Sequence, residues 1–123
     1  MALSGILSAA VSGLANASSR VAVSADNIVN ANTAGYQAKE IRSSTIVTRQ
    51  AAGTRYASGG VSGVVRTRTD PTLANGANGA NGSNVDIASE FVNIIQADVS
   101  YRASLRVIET ADTLTRDLID IKA

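Results

Sequence analysis

The 123-residue sequence has no cysteine, no histidine and no tryptophan, and holds one phenylalanine, three tyrosines and one proline. Without cysteine there is no disulfide, no thiolate nucleophile and no thiolate zinc cluster. Without histidine the commonest general base and the commonest metal ligand are missing, and a Ser-His triad is excluded however many serines are present. Aromatic residues make up 3% of the chain, so any core is small and aliphatic. No uninterrupted run of 18 apolar residues occurs, and no membrane-spanning helix is expected. The opening segment, Met1 to Leu7, carries no basic residue and is broken by Ser4 and Gly5. A secretory signal is therefore not expected, and departure from the cytosol would need another route.

Charge is also scarce in one useful sense, because the net value is only +1. That gives no electrostatic case for a nucleic-acid partner. Its distribution is uneven. Residues 1–60 hold five basic and two acidic side chains, whereas residues 85–123 hold four basic and seven acidic. Opposite ends of this kind favour pairing of unlike helices, within one chain or between chains, subject to salt screening. What the sequence has in quantity is alanine, serine, asparagine and glycine. Small residues suit long helices in close approach better than a compact globule.

Three zones follow along the chain. In residues 3–33, Leu3, Leu7, Ala10, Leu14, Ala17, Val21, Ser24 and Ile28 recur at alternating steps of four and three, with Ser24 the one interruption. That spacing predicts a helix with a coiled-coil-like seam, about 45 Å long at 1.5 Å per residue. Asn30, Asn32 and Thr33 before Gly35 predict its end, with Gly35 as a left-handed cap. In residues 36–84, the β-branched run from Val61 to Thr69 and the glycines at 53, 59 and 60 predict an irregular β-hairpin. Asp70-Pro71 predicts a turn, and the threefold Ala-Asn-Gly tract over 74–82 reads as a flexible linker. In residues 85–121, Phe91, Ile94, Ile95, Tyr101, Leu105 and Ile108 form one apolar stripe, and Val107, Ala111, Leu114, Leu118 and Ile121 a second. A helix with two offset stripes packs against more than one neighbour. Asn84 or Asp86 is its expected N-cap, and Lys122 suits the negative end of its dipole.

Candidate chemistry is thin. Lys39 and Lys122 leave a Ser-Lys pair formally open, but neither lies in a motif. Asp112, Asp117 and Asp120 are interleaved with Arg116 and Lys122 on an amphipathic helix, where a solvated face is the better reading. Gly76, Gly79 and Gly82 lack the spacing and the lysine of a phosphate loop. Arg66 and Arg68 fit an exposed strand face. No catalytic residue, metal site or cofactor site is assigned, and neither an enzymatic role nor a small-molecule substrate is expected.

The most distinctive string runs from Ser24 to Tyr36. Three asparagines within six residues are unfavourable in a helix interior because their amides compete for backbone hydrogen bonds. At a helix end they bond the departing chain and fix its exit. This string resembles the N-terminal signature of flagellar rod and hook proteins: Asn27, Ile28, Asn30, Thr33, Gly35 and Tyr36 match it, with Val29 for the usual Ala and Ala34 where Pro is common. The run Asn84-Val85-Asp86-Ile87-Ala88-Ser89-Glu90-Phe91-Val92, then Ile95, Gln96, Ala97, Tyr101, Ala103, Ile108, Thr110 and Asp112, is similar to that family's closing helix, with Ser104 where Asn is usual.

The resemblance implies that the terminal helices pair and pack around the channel of a tubular assembly, most like a small proximal-rod subunit. It implies copies of the chain, other rod and hook axial proteins and the flagellar type III export apparatus as partners, and a place in the basal body reached without a cleaved signal. A reduced hook, distal-rod or hook-junction subunit, or a non-polymerising helical adaptor of the export system, are the other readings. The expected fold is mainly α: long N- and C-terminal helices paired as a coiled-coil hairpin around a small irregular β-containing middle segment. The expected divisions are 1–35 (N-terminal axial helix), 36–73 (hairpin-like insert), 74–84 (linker) and 85–123 (C-terminal axial helix). The expected assembly surface comprises Leu3, Leu7, Leu14, Val21, Asn27, Ile28, Asn30, Thr33, Gly35 and Tyr36 on the first side. On the second it comprises Val85, Asp86, Phe91, Ile95, Tyr101, Leu105, Ile108, Leu114 and Leu118.

Overall fold

The computed structural model describes residues 2–49, 55–69 and 82–121, with side chains described from residue 4 onward except at 48–49 and 55–58. Pro71, the Ala-Asn-Gly tract through residue 81, Lys122 and the Leu3 side chain lie outside the described residues. The elements are α1 (Ala2–Val29), β1 (Lys39–Arg49), β2 (Arg55–Thr67) and α2 (Ile87–Asp120). Two long helices and a two-stranded antiparallel sheet between them make the mainly α hairpin that the residue pattern predicts.

The 28-residue α1 stops four residues before the expected boundary. The cause is local. Asn30 folds its amide back onto the Asp26 carbonyl at 2.9 Å, and two tight turns follow, Thr33 N–H to Asn30 O and Tyr36 N–H to Thr33 O. Gly35 does adopt a positive φ of 72°, but it shapes the second of these turns and does not cap the helix. Over Ser4–Val29 the helix reaches a mean hydropathy of 1.2, enough by length and composition to cross a membrane. A search for uninterrupted apolar runs misses that, because the hydropathy comes from alanine and valine spread among serines. Here α2 and the hairpin cover two sides of the helix.

The 34-residue α2 starts where its N-cap predicts. Asp86 is extended and its carboxylate accepts from the Ala88 and Ser89 N–H groups, two of the donors that a helix N-terminus leaves unpaired. It runs antiparallel to α1. Gly13 faces Ser104, Ile6 shares a cavity with Ala111 and Leu114, and Ser24 shares one with Glu90.

Between the helices the buried positions repeat every seven residues: Ala10, Ala17, Ser24 and Ala31 on α1 and the turn after it, Glu90, Ala97 and Ala111 on α2. Ser104 completes the second series, and a Cβ on Gly13 would come within 2.7 Å of its hydroxyl. Seven residues make about two turns, so each series is one stripe, of small side chains except for Glu90, through which two backbones approach closely. On α1 this is the expected seam, with Leu7, Leu14, Val21 and Ile28 half-buried along its flank. On α2 the arrangement differs from that on α1. The side of α2 facing α1 is the small-residue series, and most of the large residues of both apolar stripes are exposed.

The sheet lies along the second covered side of α1. Ser12 Oγ accepts from the Val61 N–H at 3.0 Å, and the Ser43 hydroxyl donates to Asn16 Oδ1 at 3.1 Å. Gly63 sits so near Asn16 and Ile41 that any side chain there would force one of them to move. The pairing runs from Lys39↔Thr67 to Thr45↔Val61, then shifts register before Val47↔Ala57. A bulge of this type increases local twist, which lets a two-stranded ribbon follow a helix.

Candidate assembly surface and its joint

Where α1, the hairpin and α2 meet, two asparagine side chains do the work of missing strands. Asn27, on the last turn of α1, is fully buried. Its Oδ1 accepts from the Lys39 N–H and its Nδ2 donates to the Lys39 carbonyl, both at 2.8 Å. Asn84, just before α2, mirrors this: Oδ1 accepts from the Ala38 N–H and Nδ2 donates to the Arg68 carbonyl at 3.0 Å. The Arg68 N–H closes the set on the Ala38 carbonyl at 2.7 Å. A primary amide has the same donor-acceptor pair as a peptide group, so each asparagine satisfies backbone that would otherwise be buried unpaired.

An ionic cluster flanks this joint. The Lys39 ammonium lies 2.8 Å from Asp26 Oδ2, and the Tyr36 hydroxyl lies 3.0 Å from Asp26 Oδ2 and 3.1 Å from Asn27 Oδ1. The hydrogen bond from Lys39, then that from Tyr36, hold the Asp26 carboxyl below its ordinary value. Burial, then the neighbouring Asp26, push Tyr36 up, and the bond to Asp26 raises Lys39. Ser89, whose hydroxyl donates at 2.8 Å, holds the capping Asp86 low.

Below the joint is a polar cavity of about 160 Å³ lined by Arg20, Ser24, Lys39, Glu40, Arg68 and Glu90 among others. Glu90 is 1% exposed, with Arg68 Nη2 3.7 Å from Oε1 and Asn93 Nδ2 3.4 Å from Oε2. Burying this carboxylate is tolerable only beside such a cation. Among the described residues no group of three or more acidic side chains is placed to hold a metal. The geometry builds a fixed joint.

The expected surface residues divide by location. Asn27, Asn30, Thr33 and Tyr36 enter the joint or the turn at its edge, with Thr33 Oγ1 3.2 Å from Asn30 Oδ1. Leu7, Leu14, Val21, Ile28, Val85 and Ile108 are half-buried. Leu3 lies on α1 with its side chain undescribed. Phe91, Ile95, Tyr101, Leu105, Leu114 and Leu118 are exposed, Ile95 and Leu118 by more than 60%. Asp112, a sequence candidate for cation chemistry, pairs with Arg116 at 2.9 Å on the solvated face.

The sequence points to Lys39 only through a formal Ser-Lys pair, and to Asp26 only within the string from Ser24 to Tyr36. It points to Glu90 and Asn84 only as members of the closing-helix run, with Asn84 also a cap candidate. The contacts of these four residues at the joint are not foreseen. Their distant partners at the joint are 10 to 46 residues away, beyond any local pattern. The seven-residue series of small residues on α2 was a readable signal, hidden by attention to large apolar side chains.

Large apolar side chains lie on the outward faces. Every buried apolar residue among those described is alanine, while nineteen large apolar side chains are exposed. They include Phe91, Val92, Ile95 and Val99 along α2 and Leu118, Ile119 and Ile121 at its end. Large exposed apolar side chains of this kind make the outward face of α2 a candidate interface.

Comparison with known proteins finds matches at both ends of the chain. The family described as "Flagella basal body rod protein" matches residues 7–37, which span most of α1 and the turn after it. "Flagellar basal body rod FlgEFG protein C-terminal" matches residues 77–121, which include all of α2. The flagellar basal-body rod protein FlgC of Yersinia enterocolitica is 32% identical over 126 residues, covering 93% of each chain. FlgC of Salmonella typhimurium strain LT2 is 33% identical over 125 residues, again 93% of each. With matches at both helices and relatives spanning nearly its whole length, the chain belongs to the flagellar basal-body rod protein family.

Proposed function

We propose that this structural rod protein polymerises, with copies of itself and with other rod and hook axial proteins, through the outward faces of α1 and α2. The product is a hollow shaft that transmits torque. The observation that carries the reading is the inverted distribution of size: alanine inside, and Phe91, Ile95, Leu114 and Leu118 outside. A fully buried side chain of this class contributes about 1.5–3 kcal/mol, so the apolar stabilisation absent from the single chain becomes available between subunits. Seated side chains also resist sliding of one helix past another, which is what a shaft under torsion requires.

A proximal position in the rod fits the short middle segment, in which residues 36–84 leave no room for a further domain. The flagellar type III export apparatus is the route assigned to it, and its work is mechanical, with no catalytic step. The expected divisions at 1–35, 36–73, 74–84 and 85–123 belong to the same proposal, as axial helix, insert, linker and axial helix.

The test is complementation of a strain lacking the native copy. Ile95→Asp and Leu114→Asp alter exposed positions and are expected to leave helicity intact while abolishing rod assembly and swimming. Normal swimming by a stably expressed variant of either kind would overturn the proposal.

A further inference from the structure

Charge is partitioned by element. The strands β1 and β2 carry five basic side chains against one acidic, and α2 carries six acidic against three basic. The last turn of α2 is the extreme case, because it contains Asp117 and Asp120 and no base. Carboxylates at the negative end of a helix dipole are unfavourably placed, and the one base that follows in sequence, Lys122, leaves an acidic excess. Neither Asp117 nor Asp120 makes a side-chain ion pair among the described residues. The same turn exposes Leu118 at 63%, Ile119 at 67% and Ile121 at 84%. Antiparallel pairing, with Gly13 opposite Ser104 and Ile6 beside Leu114, carries this turn to or past the start of α1.

The outer face of the hairpin has the opposite character. Gly63 and Ser43 face Asn16 of α1, so alternation along each strand turns Arg42, Val64 and Arg66 away from the helix. Arg42 pairs across with Val64, and Arg66 with Glu40. Val64 is 54% exposed, and Arg66 is exposed without an ion pair among the described residues. The Arg42 guanidinium is 72% exposed beside Glu40.

From this we infer that the outer face of the hairpin, Val64 between Arg42 and Arg66, receives the C-terminal turn of α2 from a second copy of this chain. Asp117 and Asp120 lie against the arginines, and Leu118 and Ile121 cover Val64. Within one chain the two surfaces are separated along α1 by the ten residues from Asn16 to Ile6 and by a further turn of α2 from Leu114 to Leu118. That is about 20 Å at 1.5 Å per residue, so the contact is between copies. The inference rests on the polymerisation proposed above and names one of its contacts.

Two measurements test it. The sequence has no native cysteine, so Val64→Cys combined with Leu118→Cys reports this contact alone. A disulfide needs Cα atoms within about 7 Å, which excludes an intramolecular link, and mild oxidation is expected to give a ladder of cross-linked oligomers. In the second, Arg42→Glu with Arg66→Glu in one protein, and Asp117→Arg with Asp120→Arg in another, are each expected to weaken self-association at low salt by about tenfold or more. Mixing the two proteins restores opposite charges at every contact and is expected to restore association, with circular dichroism confirming unchanged helicity. Reversed proteins that associate as well as wild type, or a mixture that fails to recover, overturn this contact and leave polymerisation standing. Wild-type protein that does not associate with itself at all overturns both.

Discussion

Asn27 carries more of the joint than any other single side chain. Its amide supplies one donor and one acceptor to the backbone of Lys39, and removal strands both in a buried site. Each stranded group costs about 1–3 kcal/mol, so Asn27→Ala is expected to lose about 2–4 kcal/mol in urea unfolding. Asn27→Asp keeps the acceptor but sets a buried carboxylate oxygen against the Lys39 carbonyl, and should lose at least as much. A loss no larger than that of an ordinary surface substitution would show that the amide pairing is not structural. Asp26 gives a second prediction with a definite sign. Its folded pKa lies below the ordinary 3.8, so its contribution is complete above that value and disappears as the pH falls through the lower folded value. Asp26→Asn should therefore flatten the acid limb of stability below about pH 4, measured as Tm against pH. On the alkaline side Lys39, raised above 10.5 by the same contact, contributes below 10.5 and loses that contribution as the pH rises beyond it.

At the scale of elements, the helices were legible because their signals are local. The Asp86 cap, the three-and-four spacing on α1 and the asparagine-rich stop all act within a few residues. The first helix still ended early, since Asn30 turned its amide onto the Asp26 carbonyl, a competition with the helix that spacing alone does not rank. The face of α2 that meets α1 was not legible from large apolar residues, because those residues point elsewhere. Nor was the joint, whose Asn84 bonds to Ala38 across 46 residues. Small size at the helix interface makes a sharp prediction. Ala97 is fully buried, and Ala97→Leu would wedge the helices apart at a cost of about 1–3 kcal/mol. Chemical denaturation checks this, and stability unchanged from wild type would mean the helices are not in close contact there.

At the scale of the whole molecule, the described small residues are buried and many of the large apolar ones are exposed. Paired helices and an amide-clamped hairpin define the shape, yet Phe91, Ile95, Val99 and Leu118 remain in solvent. In a monomeric protein such a face would be a liability; in a rod subunit it is the contact surface proposed above. The family was legible from Asn27 to Tyr36 and from Asn84 to Asp112 because those motifs sit at the joint and along the outward face of α2. The decisive measurement again uses the missing cysteines. Ile95→Cys and Val99→Cys proteins, both competent for motility, are treated with a maleimide as purified monomer and within isolated basal bodies. The predicted result is rapid labelling of the monomer and little or none in the rod. Equal labelling in both states would contradict the claim that this face of α2 is the assembly surface.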